Sequence, residues 1–478
     1  MSTLTKRAIE NYDEQVASLV PADMAYAAVA TIMILLITPG IGLFYGGMLR
    51  GKNFTTMLLQ SFLNTGIITV QFFLFGFSLA CSNTSSSVII GNFTYGALQN
   101  ISVGPLSEGG TVPAIITFTF NAIFAVCTVQ IFTGAIAERG RLLPSLVLGF
   151  LWCTLCYCPF AYWTWSTNGW LYKLGSLDFA GGGPVHISSG TASLVYSFFL
   201  GKRKGWIDGK PPKYKPYSPI LSFIGAVMIY IPWLFFNSGT LTTVTTPKTL
   251  YILTNTQLAV GFAMGTYTFM DYAINKKWSL LAASEGTIVG LVLITPTCAE
   301  LAPWAVAVGS IVTAIVCRSL YDLNIWLQID DTTHSFVIHA IGGFMGSIFN
   351  GLFASPNIAA TDGVTESEGG WIFHHWKQMG YQLAGSVAII VWTALMTYAL
   401  CFIINLIPGL KMRVSEEAEE MGLDCYEMRE WSDPSITSDI SDVSHVEYFN
   451  GQQGASSNSN LSSNNIELGD VKRPIEQV

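Results

Sequence analysis

The chain has 478 residues, of which 51% are hydrophobic and only 11% charged, with a formal net charge of −8. A soluble domain carries about 25% charged residues, so this chain cannot cover a water-facing surface and reads as a membrane protein. The acidic excess lies in the tail, where fourteen acidic and five basic residues follow from Lys411 onward, and no basic face suggests a nucleic-acid partner.

Residues 1–23 form an outer N-terminal segment. They include Lys6 and Arg7 but no apolar run, so no cleavable signal is evident and the first apolar run directs insertion. Runs near the span minimum of about 20 residues then recur at 24–48, 55–80, 112–136, 142–164, 183–201, 217–238, 252–275, 279–297, 301–320, 332–354 and 380–408. They predict an all-α polytopic protein with eleven transmembrane helices over 24–410. Lys and Arg concentrate after the odd-numbered runs, as in Arg50/Lys52, Arg139/Arg141, Lys202 to Lys215, Lys276/Lys277 and Arg318. Positive charge marks the cytoplasmic side, which puts the N-terminus outside and the C-terminus inside. The 81–111 break has no Lys or Arg and offers acceptor sequons at Asn83, Asn92 and Asn100, in keeping with an outside loop. Residues 411–431 are charged and could dock on the inner face as an amphipathic helix. Residues 432–478 are rich in Ser, Asp and Asn and read as a disordered cytoplasmic tail.

Two histidines stand inside these runs. An ionisable group within a bilayer costs at least a few kcal/mol and is functional by default. His186 follows Asp178 by eight residues and His339 follows Asp331 by eight. The two helices run in opposite directions, so about 12 Å of helix carries each imidazole toward the bilayer middle. That is the placement expected of five-plus-five inverted repeats about an axis in the membrane plane. A neutral imidazole donates through one nitrogen and accepts through the other, so a facing pair can line a narrow path and pass a proton. A substrate that can shed a proton and cross uncharged fits such a path. Asp178 could also cap the fifth helix, and Asp330 or Asp331 the tenth. The cluster Cys153, Cys156 and Cys158 lacks a partner ligand pair and reads as packing rather than a metal site.

The segment from Asp178-Phe179-Ala180-Gly181-Gly182 through Val185, Ser189-Gly190, Ser193 and Gly201-x-Arg203 resembles the signature of the ammonium transporter family (Amt/Mep, with Rh proteins as distant relatives). Further blocks resemble it in register: GLFYGGMLRGKN (42–53), TGAIAERGRL (133–142), WLFFNSGT (233–240), GLVLITP (290–296) and IDDTTHSFVIHAIGGFMGSIFNGLFA (329–354). The resemblance implies that His186 and His339 are the paired pore histidines and that Phe124 and Phe236 form the stacked gate. It also implies an outer ammonium site of Trp165, Phe120 and Thr240, shaped by Asp178. From spacing alone each aromatic would be ordinary core or belt packing. Rings can hold a partly dehydrated cation at about 0.5–2 kcal/mol, and only ammonium, unlike potassium of similar size, can then lose a proton. Asp331 and His334 fall at an inner vestibule. Where the family usually reads DDxxD, this chain has Asp330-Asp331-Thr332-Thr333-His334, an imidazole in place of a carboxylate, which could alter the pH response.

The resemblance further implies ammonium and methylammonium as substrates, a homotrimer in the plasma membrane, no cofactor or metal, and no enzymatic activity. Fungal-type members share the tail layout, which makes Ser432, Ser435, Ser438, Ser441 and Ser444 candidates for phosphorylation by a kinase. An Rh-type neutral ammonia channel and an added sensing role are the alternatives within the class. A membrane metalloenzyme is the rival outside it, because His334-x4-His339 superficially resembles one histidine box, but six histidines in all are too few for the several boxes required.

Overall fold

The computed structural model describes residues 12–428, which are helical, with isolated bridges but no β-strand among them. The principal helices are α1 (Pro21–Met48), α2 (Gly51–Cys81), α3 (Ala114–Ile136), α4 (Leu142–Leu174), α5 (182–200), α6 (Pro219–Gly239), α7 (Pro247–Asn275), α8 (Leu280–Ile294), α9 (Pro303–Ser319), α10 (Phe336–Phe353) and α11 (Lys377–Leu406). Among the described residues, α1 to α4, α6, α10 and α11 are long and apolar enough to cross a membrane, and α8 and α9 are shorter apolar helices. Prolines open α1, α6, α7 and α9 in the first turn, where a missing N–H is no loss. Pro296 lies two residues past the end of α8, so the run expected to reach 297 stops at Ile294.

Large apolar side chains such as Phe62, Phe269 and Leu395 are 65–71% exposed, a surface suited to lipid rather than water. Inside, the helices meet through small residues. A Cβ on Gly190 of α5 would stand 2.3 Å from the Ala340 nitrogen of α10, and one on Gly225 of α6 would stand 2.4 Å from the Phe44 nitrogen of α1. Only glycine lets these two pairs of backbones approach so closely.

Both α5 and α10 begin with a π-helical turn, over Gly182–Ile187 and Phe336–Ile341. Each turn holds one histidine, and the two turns pack against each other. Such wide turns recur at functional sites. Each is capped from behind by the aspartate that precedes its histidine by eight residues. Asp178 accepts from the amides of Gly181, Gly182 and Gly183 at 2.7–2.9 Å. Asp331 accepts from the Phe336 amide at 2.8 Å. A carboxylate at a helix N-terminus satisfies orphan donors and complements the dipole.

One end of the bundle is tied by buried charge. Arg203 grips Asp330 with Nε at 2.8 Å and Nη2 at 2.9 Å, and its Nη1 reaches Glu138 at 2.8 Å. Glu138 takes a second guanidinium, Arg50, at 2.6 Å, while Arg139 donates to the Asp330 carbonyl at 2.7 Å. The segments after α1, α3 and α5 and the one before α10 are thereby locked together. Burial opposes the charge on both carboxyls. Arg203 and Arg50 nonetheless hold Glu138 below its ordinary range, and Arg139 and Arg203 bring Asp330 down to about 2.

At the same end, residues 412–428 lie against the bundle and carry α12 (Glu416–Met421) and α13 (Leu423–Glu427). Asp424 caps α2, accepting from the amides of Thr55 at 3.0 Å and Thr56 at 2.7 Å. Arg413 pairs with Glu419 at 2.9 Å and donates to the Leu200 and Lys202 carbonyls. Met412, Ala418 and Leu423 are buried. The tail serines from Ser432 to Ser444 lie outside the described residues.

Candidate conduction site

At the opposite end of the bundle, Phe120, Phe124, Trp165 and Thr240 line one cavity of about 400 Å³. Three separate segments supply these four: α3 gives both phenylalanines, α4 the tryptophan, and the end of α6 the threonine. Trp165 is fixed by its Nε1, which donates to the Asp178 carbonyl at 3.1 Å. Gly181, just past Asp178, has φ +109° and lies against Trp165, so the turn into α5 needs glycine there. Asp178 is not part of the wall. It supports the cavity from behind, with its carboxylate committed to backbone amides.

From this cavity a file of rings descends into the bundle. Phe120 and Phe124 lie 5.0 Å apart, and Phe124 stacks on Phe236 at 3.7 Å with 11° between planes. Phe236 leads to Trp233 at 4.6 Å, Trp233 to His186 at 5.4 Å, and His186 to His339 at 5.4 Å. Trp165 meets Phe124 edge-on at 6.2 Å. Two rings at stacking distance leave no room for a hydrated ion, so whatever passes must displace a ring and shed water.

The Nδ1 atoms of His186 and His339 are 3.2 Å apart. Between two such nitrogens only one hydrogen fits, so one ring donates and its neighbour accepts. His186 Nε2 is buried with no hydrogen-bond partner in the protein, and a buried polar atom of this kind wants a guest. The geometry sets an aromatic cup, a stacked pair of rings and a hydrogen-bonded pair of imidazoles in series.

A sequence profile described as the ammonium transporter family matches residues 25–432. The chain belongs to the ammonium transporter family. Ammonium transporter 3 of Schizosaccharomyces pombe is 44% identical over 453 residues, covering 86% of this chain and 87% of that one. Ammonium transporter MEP2 of Saccharomyces cerevisiae is 38% identical over 416 residues, covering 86% and 83%. The crystal structure of Candida albicans Mep2 superposes with a TM-score of 0.80 at 37% identity, covering 88% of this chain and 93% of that one.

Within this member of the family, two residues expected at an inner vestibule sit differently. Asp331 is 1% exposed and caps α10, with Ser193 Oγ donating to its other oxygen at 3.4 Å. Its carboxylate therefore takes the capping place that the sequence also offers it. His334 does not lie a turn below His339 on a continuous helix, because α10 begins only at Phe336. Its backbone is left-handed at φ +52°, which swings the imidazole onto Tyr321 at 4.1 Å and 18°. Exchanging His334 for Asp is expected to retain transport and change its pH profile, since a titrating carboxylate replaces the imidazole close to the Asp330–Arg203 pair. An unchanged profile from pH 5 to 8 in uptake assays would discount any such influence.

Sequence reasoning passed over Trp233. It stacks on both Phe236 and His186, and its Nε1 donates to Thr295 Oγ1 at 3.0 Å. The signal was present, since Trp233 precedes Phe236 by three residues and shares its helix face. The Arg50–Glu138–Arg203–Asp330 lattice was also missed, because those arginines were read as markers of orientation and as members of family blocks, not as partners of carboxylates.

Proposed function

We propose that this protein carries ammonium across a membrane by recruiting the cation at the Phe120/Trp165/Thr240 cup, stripping its water at Phe124 and Phe236, and handing its proton to the His186–His339 pair. The observation that carries the reading is the unbroken file of rings from that cup to two imidazoles sharing one hydrogen. Ammonium leaves chemically unchanged, so the protein is a transporter and not an enzyme. Cation–π attraction of about 0.5–2 kcal/mol gathers ammonium and potassium alike. The dry segment beyond the gate then discriminates, because potassium cannot become neutral and would cross at full desolvation cost.

In this reading the eleven helices all cross the membrane, with the N-terminus outside and the charged lattice and residues 411–478 in the cytoplasm. The paired π turns, their aspartate caps and the close α1–α6 and α5–α10 crossings support a five-plus-five inverted relation. A homotrimer in the plasma membrane completes the assembly, with phosphate on the Ser432–Ser444 stretch acting on the docked 412–428 segment. In transporter-deficient cells the intact chain is expected to restore uptake of labelled methylammonium, with ammonium competing and potassium not. In proteoliposomes, ammonium is expected to evoke an inward current. Flux without current would favour a neutral channel of the Rh type, and robust potassium transport would contradict the dehydration argument.

A further inference from the structure

The segment between α2 and α3 carries three Asn-x-Ser/Thr sequons, at Asn83, Asn92 and Asn100, and the fold treats them unequally. Asn83 lies two residues past the end of α2 and borders the outer cavity. Its Oδ1 accepts from the Tyr95 hydroxyl at 2.5 Å and its Nδ2 donates to the Leu106 carbonyl at 2.9 Å. Because Asn83 borders that cavity, a sugar there would stand across the approach to Phe120 and Trp165. Asn92 is half-buried. Its Oδ1 accepts from Ser82 Oγ at 2.7 Å and the Thr94 amide at 3.0 Å, and its Nδ2 donates to Thr84 Oγ1 at 2.9 Å.

Asn100 is different. It is exposed, sits in the left-handed region at φ +60°, and is followed by an irregular stretch in which Ser102 and Val103 are also exposed. Its carboxamide is held by a single bond, Nδ2 to the Thr94 carbonyl at 2.9 Å, so one N–H remains free. Asn tolerates this backbone conformation well, and the residue stands exposed on the loop. A further sequon, Asn53-Phe54-Thr55, lies at the opposite, arginine-rich end of the bundle with Asn53 fully buried, which makes it an internal control.

We propose that Asn100 is an N-glycan acceptor and that Asn83 and Asn92 are left unmodified. The inference rests on the orientation given above, which puts this segment outside. In the reaction, Nδ2 gives up a proton and bonds to the anomeric carbon of a polyprenyl-diphosphate-linked oligosaccharide. The carbon–oxygen bond to the diphosphate breaks and the lipid diphosphate leaves with the electron pair. The sugar would cover the exposed Val103 side of the loop and leave the cavity open.

The full chain is to be expressed in a glycosylating eukaryotic host and digested with peptide N-glycosidase. The expected result is a one-glycan mobility shift that is lost in Asn100→Gln and kept in Asn83→Gln and Asn92→Gln, with methylammonium uptake of Asn100→Gln unchanged. No shift in the intact chain, or a shift surviving Asn100→Gln, overturns the proposal. Labelling of Glu108→Cys by an impermeant maleimide on intact cells, measured over the background of the unmodified chain, reads the orientation separately. Labelling without a shift sinks the glycan alone. Absence of labelling sinks the orientation and the glycan with it.

Discussion

Exchange of either facing imidazole, His186→Ala or His339→Ala, is expected to lower methylammonium uptake on the order of a hundredfold, the scale on which a positioned proton-transfer group acts. The two rings share one hydrogen at 3.2 Å, so removing one strands its partner and opens a gap where the substrate's proton would go. His186 has a further contact to lose, since it stacks on Trp233. The double variant is expected to be no worse than the poorer single one, because the pair acts as a unit. Uptake in transporter-deficient cells, normalised to the amount of protein at the membrane, measures this. Single variants with intact rates would mean that the imidazoles are packing groups and that ammonium passes without giving up a proton to them.

Arg203→Met is the second large effect, and it falls on folding rather than conduction. Arg203 is 5% exposed and neutralises two carboxylates at once, Asp330 through two nitrogens and Glu138 through a third. Breaking a buried pair by removing one member costs about 3–5 kcal/mol, since the charge left behind remains desolvated. The variant is expected to lose most of its detergent-stable protein in a thermal-shift or fluorescence size-exclusion assay. Arg203→Lys is expected to recover only part, because a point charge cannot match the two-pronged contact with Asp330. The same lattice sets an acid limit. Asp330 is held at about 2 in the fold against about 3.9 in an unfolded chain. A depressed carboxyl stabilises the fold above its unfolded value, and that contribution fades as pH falls from about 4 toward 2. A melting temperature that does not fall over that interval would contradict the assignment.

Much of the architecture is legible in composition and periodicity. A chain with so little charge must be solvated by lipid, and helices of membrane length follow from the apolar runs because backbone polar groups in a bilayer have to be satisfied internally. The boundaries that were misread are those where a backbone detail intervenes, as at Pro296 after α8 and the late start of α10. The site was legible in a different way. Equal spacing of Asp178–His186 and Asp331–His339 singled out four residues, and the family resemblance supplied Phe120, Phe124, Trp165, Phe236 and Thr240. The sequence left the aspartates open between site and cap, since spacing does not say whether a carboxylate faces a cavity or an amide; the bonds from Gly181, Gly182, Gly183 and Phe336 make Asp178 and Asp331 caps.

The sequence by itself determined the membrane class, the two buried histidines and the family to which they belong. These depend on residue chemistry and on period, which survive in one dimension. The tertiary structure alone decided that Trp233 joins the ring file and that His334 turns away onto Tyr321. It also decided that the buried Arg139 and Arg203 and the half-buried Arg50 are partners of Glu138 and Asp330. Each of these depends on which segments, remote in sequence, come within a few ångströms, and a π turn or one left-handed residue is enough to redirect a side chain from the path that helical spacing would give it.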